Sequence, residues 1–175
     1  MDPAFEQDWS GRGQHAEFSK DERRLLDEIL EVRKHLGSSR SALVQSVKCR
    51  RIHLARKTVF CNRKFTKEQA VQEVAHIMRL SHAHVMRVIG TYTIGKEISI
   101  LLYPVAEYNL ETFLATTIEA EVQDGEWFAM LHASRRLIPS LTSAIHYIHS
   151  MLTKHMDIKP QNILVRGKQS RLRWM

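Results

Sequence analysis

The spacing of hydrophobic residues changes at Pro104, and that change constrains the fold more than any other feature of the chain. Ahead of it, Val85 to Thr93 and Glu97 to Tyr103 read as strands joined through Gly95-Lys96 as a hairpin. Behind it, Leu141, Ala144, Ile145, Ile148 and Leu152 fall at i, i+3, i+4, i+7 and i+11, a continuous helical stripe. Pro104 marks the boundary because proline has no N–H to give to a ladder. Strands first and helices second imply an α+β chain, a small sheet-rich lobe followed by a helical one. A length of 175 residues allows one domain with a real core rather than two large ones.

Residues 1 to 18 mix Gly, Gln, Asp and Ser without periodicity and read as a disordered tail. Ser19 opens a capping box with Glu22, announcing a short helix to about Glu28 that sets Leu25, Leu26 and Ile29 on one side. From Glu31 to about Thr58 the text is strand-like, interrupted at Gly37-Ser38-Ser39. A helix from Lys67 to about Leu80 follows, with Val71, Val74, Ile77 and Met78 at helical spacing. Asn109 is placed to cap a short helix from Leu110 to about Thr116, and Asp124-Gly125 makes a turn. The long helix is expected from about Arg136 to Leu152, with Pro139 in its first turn or at a kink.

The net charge of +7 is concentrated in two blocks. Eight basic residues and no acid lie between Ser46 and Lys67, and the last ten residues carry Arg166, Lys168, Arg171 and Arg173. A run of like charge reads first as a solvated face, and Ile52, Leu54 and Val59 alternating with the basic residues indicate a strand with one wet side. Contact with phosphates is the sharper alternative. No zinc finger, recognition helix or aromatic stacking series accompanies the charge, so nucleic acid is not an expected partner. Nor is a membrane, since no apolar run approaches the ~20 residues of a span and the charged N-terminus lacks a signal-peptide core. Cys49 and Cys61 make no disulfide framework and fit a reduced, intracellular setting, cytoplasmic or nuclear. Neither Cys49 with His53 and Cys61 nor the pairs His82/His84 and His146/His149 has the spacing of a zinc site.

The chemistry lies after the long helix, in His155-Met156-Asp157-Ile158-Lys159-Pro160-Gln161-Asn162-Ile163-Leu164-Val165. Asp157, Lys159 and Asn162, at offsets of two and five, are what a transfer from phosphate to hydroxyl requires. The carboxylate accepts the proton of the attacking hydroxyl, the lysine neutralises the phosphate in flight, and the amide oxygen holds a metal. This stretch resembles the catalytic loop of protein kinases, H-R-D-L-x-x-x-x-N. Upstream, Ala55-Arg56-Lys57 is similar to the family's A-x-K strand, and Glu73 to His84 follows its E-x-x-I-L-x-x-L-x-H pattern.

The resemblance spans about Leu36 to Val165 and implies a protein-kinase-like fold, with a kinase N-lobe at 19–103 and a hinge with the first C-lobe helices at 104–166. It implies ATP and Mg2+ as cofactors and Ser/Thr hydroxyls of proteins as substrates, the wording Asp157-Ile158-Lys159-Pro160 being typical of that branch. Asp157 and Lys159 would be catalytic, Asn162 would hold magnesium, and Lys57 paired with Glu73 would hold the nucleotide phosphates. Gly37 and Val44 would belong to the glycine-rich loop, Tyr103 or Leu102 would guard the back of the adenine pocket, and Pro104 to Ala106 would offer backbone groups to the base.

The chain also departs from the pattern. Ser39 and Ala42 replace the second and third glycines of the loop, which makes positive φ costlier there, and Met156 replaces the arginine before the catalytic aspartate. No Asp-Phe-Gly follows Asn162, and residues 167–175 read as a basic tail without pattern. That absence implies an incomplete kinase domain. The alternative function is a catalytically inactive kinase-like scaffold or fragment that binds partners, against which the retention of Asp157, Lys159 and Asn162 argues.

Overall fold

The structure, a computed structural model, describes residues 3–39, 42–61, 66–116, 127–153, 157–166 and 171–174. The chain forms two units, one of residues 1–79 and 87–105, the other of residues 80–86 and 106–175.

The first unit contains α1 (Pro3–Gln7), β1 (His15–Phe18), a 3-10 turn (Lys20–Glu22) running into α2 (Arg23–Ile29), β2 (Glu31–Ser38), β3 (Ala42–Cys49), β4 (Ile52–Phe60), α3 (Lys67–Met78), β5 (Arg87–Ile94) and β6 (Glu97–Tyr103). Its sheet has the order β1-β5-β6-β4-β3-β2. Every pairing is antiparallel except that of β1 with β5. The β3–β4 connection is tight enough to force Arg50 to a φ of 54°, its guanidinium over the Phe5 ring. Gly95 takes a φ of 58° in the β5–β6 hairpin, the conformation glycine adopts without cost.

Residues 3–18, expected as a disordered tail, are instead part of this unit. Phe5, Trp9, Ala16, Phe18, Leu26 and Leu30 make six of the thirteen buried residues of its core, packed with Leu54, Leu101 and Ile89 of the sheet. Apolar residues too sparse for a periodic signal still bury area when each lands on the same sheet face. Polar ties add to the packing. Glu6 pairs with Arg87 at 2.5 Å, and Gly13 N donates to Asp8 Oδ1 at 2.7 Å. The capping box forms, Ser19 N donating to Glu22 Oε2 at 2.8 Å, and Arg12 reaches the same carboxylate at 2.6 Å while lying over Phe18.

β4, expected to have one wet face, is central in the sheet, and the structure corrects that reading. Leu54, Ala55, Arg56 and Thr58 are all buried. Arg56 donates to Gln45 Oε1 at 2.6 Å and to Tyr92 Oη at 3.3 Å, so one charge of the basic block is an interior group.

The second unit contains β7 (Tyr108–Asn109), α4 (110–116), α5 (Trp127–Ser150), a 3-10 turn (Pro160–Asn162), β8 (Ile163–Arg166) and β9 (Arg171–Trp174). Asn109 caps α4 as expected, accepting from Thr112 N at 2.8 Å. The turn at Asp124-Gly125 lies outside the described residues. α5 begins nine residues before Arg136, with Pro139 in its interior. Its Ala144 and Ile148 pack with Leu80, Val85, Ile163 and Val165. Residues 80–86 are held to α5 by Ser81 N, which donates to Tyr147 Oη at 2.8 Å, and by His82 stacked on the Tyr147 ring at 4.9 Å. Burial and the neighbouring His84 both lower the pKa of His82, burial the more.

Two expectations fail in this unit. Leu152 leaves the helical stripe and is 96% exposed, because α5 ends in a Schellman turn. Thr153 N donates to Ile148 O and Leu152 N to His149 O, which requires Leu152 at a φ of 54°. Residues 171–174, read as patternless tail, form β9 and pair with β8 from Ile163↔Trp174 to Arg166↔Arg171. The alternation Arg171-Leu172-Arg173-Trp174 is period two, short enough to hide inside a charge run.

Arg12 first, and the Ser19 backbone second, hold the Glu22 carboxyl down to about 2 from an ordinary 4.5. A depressed carboxylate contributes stability that is complete above its unfolded value and lost as pH falls through the folded one. Lowering pH from about 5 to about 2 should therefore depress the melting temperature more in the wild type than in Glu22→Gln, and equal shifts would exclude the interaction. Leu152→Gly removes a left-handed leucine and should stabilise the chain by about 1 kcal/mol in urea unfolding.

Candidate active site

Three of the residues singled out in the first unit lie in one row across the sheet. Gly37 pairs with Val44, Val44 with Lys57, and Lys57 with Ile100. Directly opposed residues project to the same face, so Val44 and Lys57 stand side by side. Lys57 is half-buried by its neighbours. A bulge in β2 between His35 and Gly37 restores this alignment. Ser39 closes the β2–β3 turn, its N–H donating to Ala42 O at 2.8 Å. Among the described residues of the turn none has positive φ, so Ser39 and Ala42 replace glycines there without backbone cost.

One row further on, Ala55 pairs with Leu102. Leu102 therefore shares the face of Lys57, and Tyr103, one residue later, does not. Tyr103 packs instead against the core that holds Trp9 and Leu54. Tyr103, named with Leu102 for the back of the adenine pocket, thus turns to the core and away from the face of Lys57. Strand alternation sets Leu102, the other residue named, on that face, and counting parity from Lys57 through the pairing is the signal that separates the two. Ala106 follows directly on the boundary between the two units and is half-buried. Glu73 lies in α3, which packs against β5 and β6; its side chain, and so its ion pair with Lys57, falls outside the described residues.

In the second unit the predicted loop is assembled by local bonds. Pro160 opens the 3-10 turn, its fixed φ suited to a first helical position, and Asn162 N donates to Lys159 O at 2.9 Å. Asn162 Nδ2 donates to Asp157 Oδ2 at 2.8 Å and to Asp157 O at 2.9 Å. Lys159 Nζ reaches the same Oδ2 at 2.6 Å. All three residues expected to carry chemistry thus meet at one carboxylate oxygen. Both charged side chains are about half exposed, so the pair orients the carboxylate more than it stabilises the fold.

The loop is also tied down on its far side. β8 pairs with β7 (Tyr108↔Val165 and Asn109↔Leu164), and Gln161 Nε2 donates to Glu111 Oε1 of α4 at 2.6 Å. Gln161 was not anticipated as a support of the loop. His155 and Met156 lie outside the described residues.

The donor set fits a hard divalent cation such as Mg2+ in chemistry and only in part in number. With its nitrogen engaged by Asp157, Asn162 presents an amide oxygen, and oxygen is the ligand Mg2+ prefers. Among the described residues no group of three His, Cys, Asp or Glu could hold a metal. Substrate phosphates normally complete such a site.

This geometry accords with the comparisons to known proteins. Residues 30–174 match the profile of the protein kinase domain, and the chain belongs to that family. It is 27% identical over 142 residues, 80% of its length, to a protein of Drosophila melanogaster described as putative mitogen-activated protein kinase kinase kinase 7-like, of which the alignment covers 34%. It is 31% identical over 104 residues to rat serine/threonine-protein kinase DCLK1, covering 59% of this chain and 22% of that one. Drosophila cyclin-dependent kinase 8 is 28% identical over 99 residues, covering 56% and 22% respectively. The chain spans about a third or less of these relatives. The family match includes residues 171–174 and begins at residue 30, after α2.

If the two bonds from Asn162 hold Asp157 in solution, Asp157→Ala should shift the Asn162 side-chain amide resonances and speed their exchange with solvent. Unmoved resonances in a ¹⁵N spectrum would show that the bonds do not persist.

Proposed function

We propose that this chain carries the nucleotide and transfer machinery of a serine/threonine protein kinase, passing the γ-phosphoryl group of ATP to a protein hydroxyl. The observation that carries the reading is the convergence of Lys159 and Asn162 on Asp157 Oδ2. Asp157 orients the attacking hydroxyl and accepts its proton as the O–P bond forms. Lys159 spreads positive charge toward the transferred phosphoryl. Lys57, presented in line with Val44, engages the α- and β-phosphates, as does the lysine of the equivalent strand across the family. Asn162, its amide oxygen left open by the bond from its nitrogen to Asp157, is the residue that would hold Mg2+, which when bound would offset phosphate charge.

The substrate is read as a Ser/Thr-containing protein on the strength of the relatives and the Asp157-Ile158-Lys159-Pro160 loop. An intracellular site of action is part of the same proposal. It is supported by a chain with two cysteines and so no disulfide framework, Cys49 being buried with its pKa raised by that burial and Cys61 half-buried. No helix among the described residues is long and apolar enough to cross a membrane.

The test is transfer of labelled γ-phosphate to a generic serine/threonine peptide, with Asp157→Asn expected to lower the rate by about 10²- to 10⁴-fold. Lys57→Ala should abolish measurable ATP binding in a calorimetric titration. ATP binding that depends on Lys57, with no transfer at all, would replace this reading with that of a kinase-like scaffold.

A further inference from the structure

We propose that Trp9 and Gln14 are positioning residues: they hold a one-residue bulge in β5 and thereby fix the β5 side of the last pairs of β6, backing Leu102 where it stands beside Ala55. The bulge lies between Val88, paired with Leu102, and Gly90, paired with Leu101, so Ile89 is the extra residue. A bulge leaves backbone groups without their ladder partners and needs something else to satisfy them.

Here the N-terminal segment does so. Gln14 Nε2 donates to Ile89 O at 3.3 Å, and Thr91 N donates to Gln14 O at 3.0 Å. That carbonyl also accepts from Trp9 Nε1 at 3.0 Å, which pins the indole against the bulge. Ile89 is fully buried, so its carbonyl could not turn to water if Gln14 were lost.

The fit is specific to glycine at position 90. A Cβ there would stand 2.2 Å from Trp9 Nε1 and 2.7 Å from Gln14 O, so Trp9, itself 1% exposed, occupies the space a side chain would need. On either side of the bulge the contact continues. Glu6 holds Arg87, and Tyr92 meets the Trp9 ring at 5.8 Å and accepts from Arg56 of β4.

Relaxing the bulge shifts β5 by a residue against β6 ahead of Gly90, which exchanges the faces of Arg87 and Val88 and leaves Leu102 paired with Ala55 but without its β5 support. The pairs exposed to that slip are Val88↔Leu102 and Arg87↔Tyr103, the last two before Pro104. Residues 3–29 lie ahead of the span matched by the kinase family. The consequence of the bulge for ligand binding rests on the reading of ATP as the ligand.

The experiment compares hydrogen exchange and adenosine affinity of the full chain with those of Gln14→Ala, Trp9→Ala and Gly90→Ala. Leu26→Ala, which weakens the same core away from the bulge, serves as control. The expected result is exchange faster by about tenfold or more at residues 87–91 and 101–103, with residues 42–49 unchanged. Adenosine binding should weaken at least about fivefold in the same variants. Leu26→Ala should raise exchange across the unit evenly. If Trp9→Ala does not fold, Gln14→Ala, which deletes one side-chain bond, decides. Unchanged exchange at 87–91 and 101–103, or a rise equal to that at 42–49, overturns the proposal. So does faster local exchange with adenosine affinity intact. A wild-type chain that binds no adenosine would refute the ATP reading, and the exchange data alone would then decide the positioning role.

Discussion

Burial of β4 on the interior of the sheet is the constraint on which the first unit depends. The strand is paired on both sides, and its alternate residues serve two different ends. Leu54, Arg56 and Thr58 face the core closed by the N-terminal segment, with Thr58 hydrogen-bonded to Ser99 at 2.8 Å and Arg56 to Gln45 and Tyr92. Ala55 and Lys57 face the other way, in line with Leu102 and Val44. Lys57 is held in place because Arg56 and Thr58, on either side of it, are locked into the buried face. Rigidity of the functional face is thus supplied from behind it.

The second unit solves a different problem, that of presenting an exposed carboxylate in one orientation. It uses local bonds in place of burial. Proline shapes the turn, the turn brings Asn162 back to Asp157, and β7 and α4 hold the strand that follows. The carboxylate stays exposed while its orientation is set by residues within a span of six positions.

Legibility in the sequence followed the range of the interactions concerned. The capping box at Ser19 and the cap at Asn109 depend on neighbours a few residues away, and each forms as read; Asp157, Lys159 and Asn162, singled out by their spacing, are likewise brought together by local bonds. The hairpin at Gly95 and the end of β6 at Pro104 belong to the same group. One misreading, Leu152, is itself local, and the others occurred where a distant partner decides. Leu152 continues a hydrophobic period and yet lies outside the helix, because the turn bonds at 148–153 end α5 before it. Residues 3–18 carry only the four alternating positions of His15–Phe18, too short a period to stand out, and what buries Trp9 and Phe18 is a sheet whose paired strand, β5, lies far along the chain.

From sequence alone came the passage from strands to helices, the choice of Asp157, Lys159 and Asn162 as the residues of interest in the loop, and the family membership that its motifs implied, because spacing along the chain is itself the physical signal for each. Tertiary structure alone decided which face each strand turns to the site. It set Leu102 rather than Tyr103 beside Lys57, made Arg56 an interior cation, and turned an unpatterned N-terminus into the cover of a sheet. Those outcomes depend on register and on the partner that buries a face, and a pairing between strands is a property of two segments that neither carries by itself.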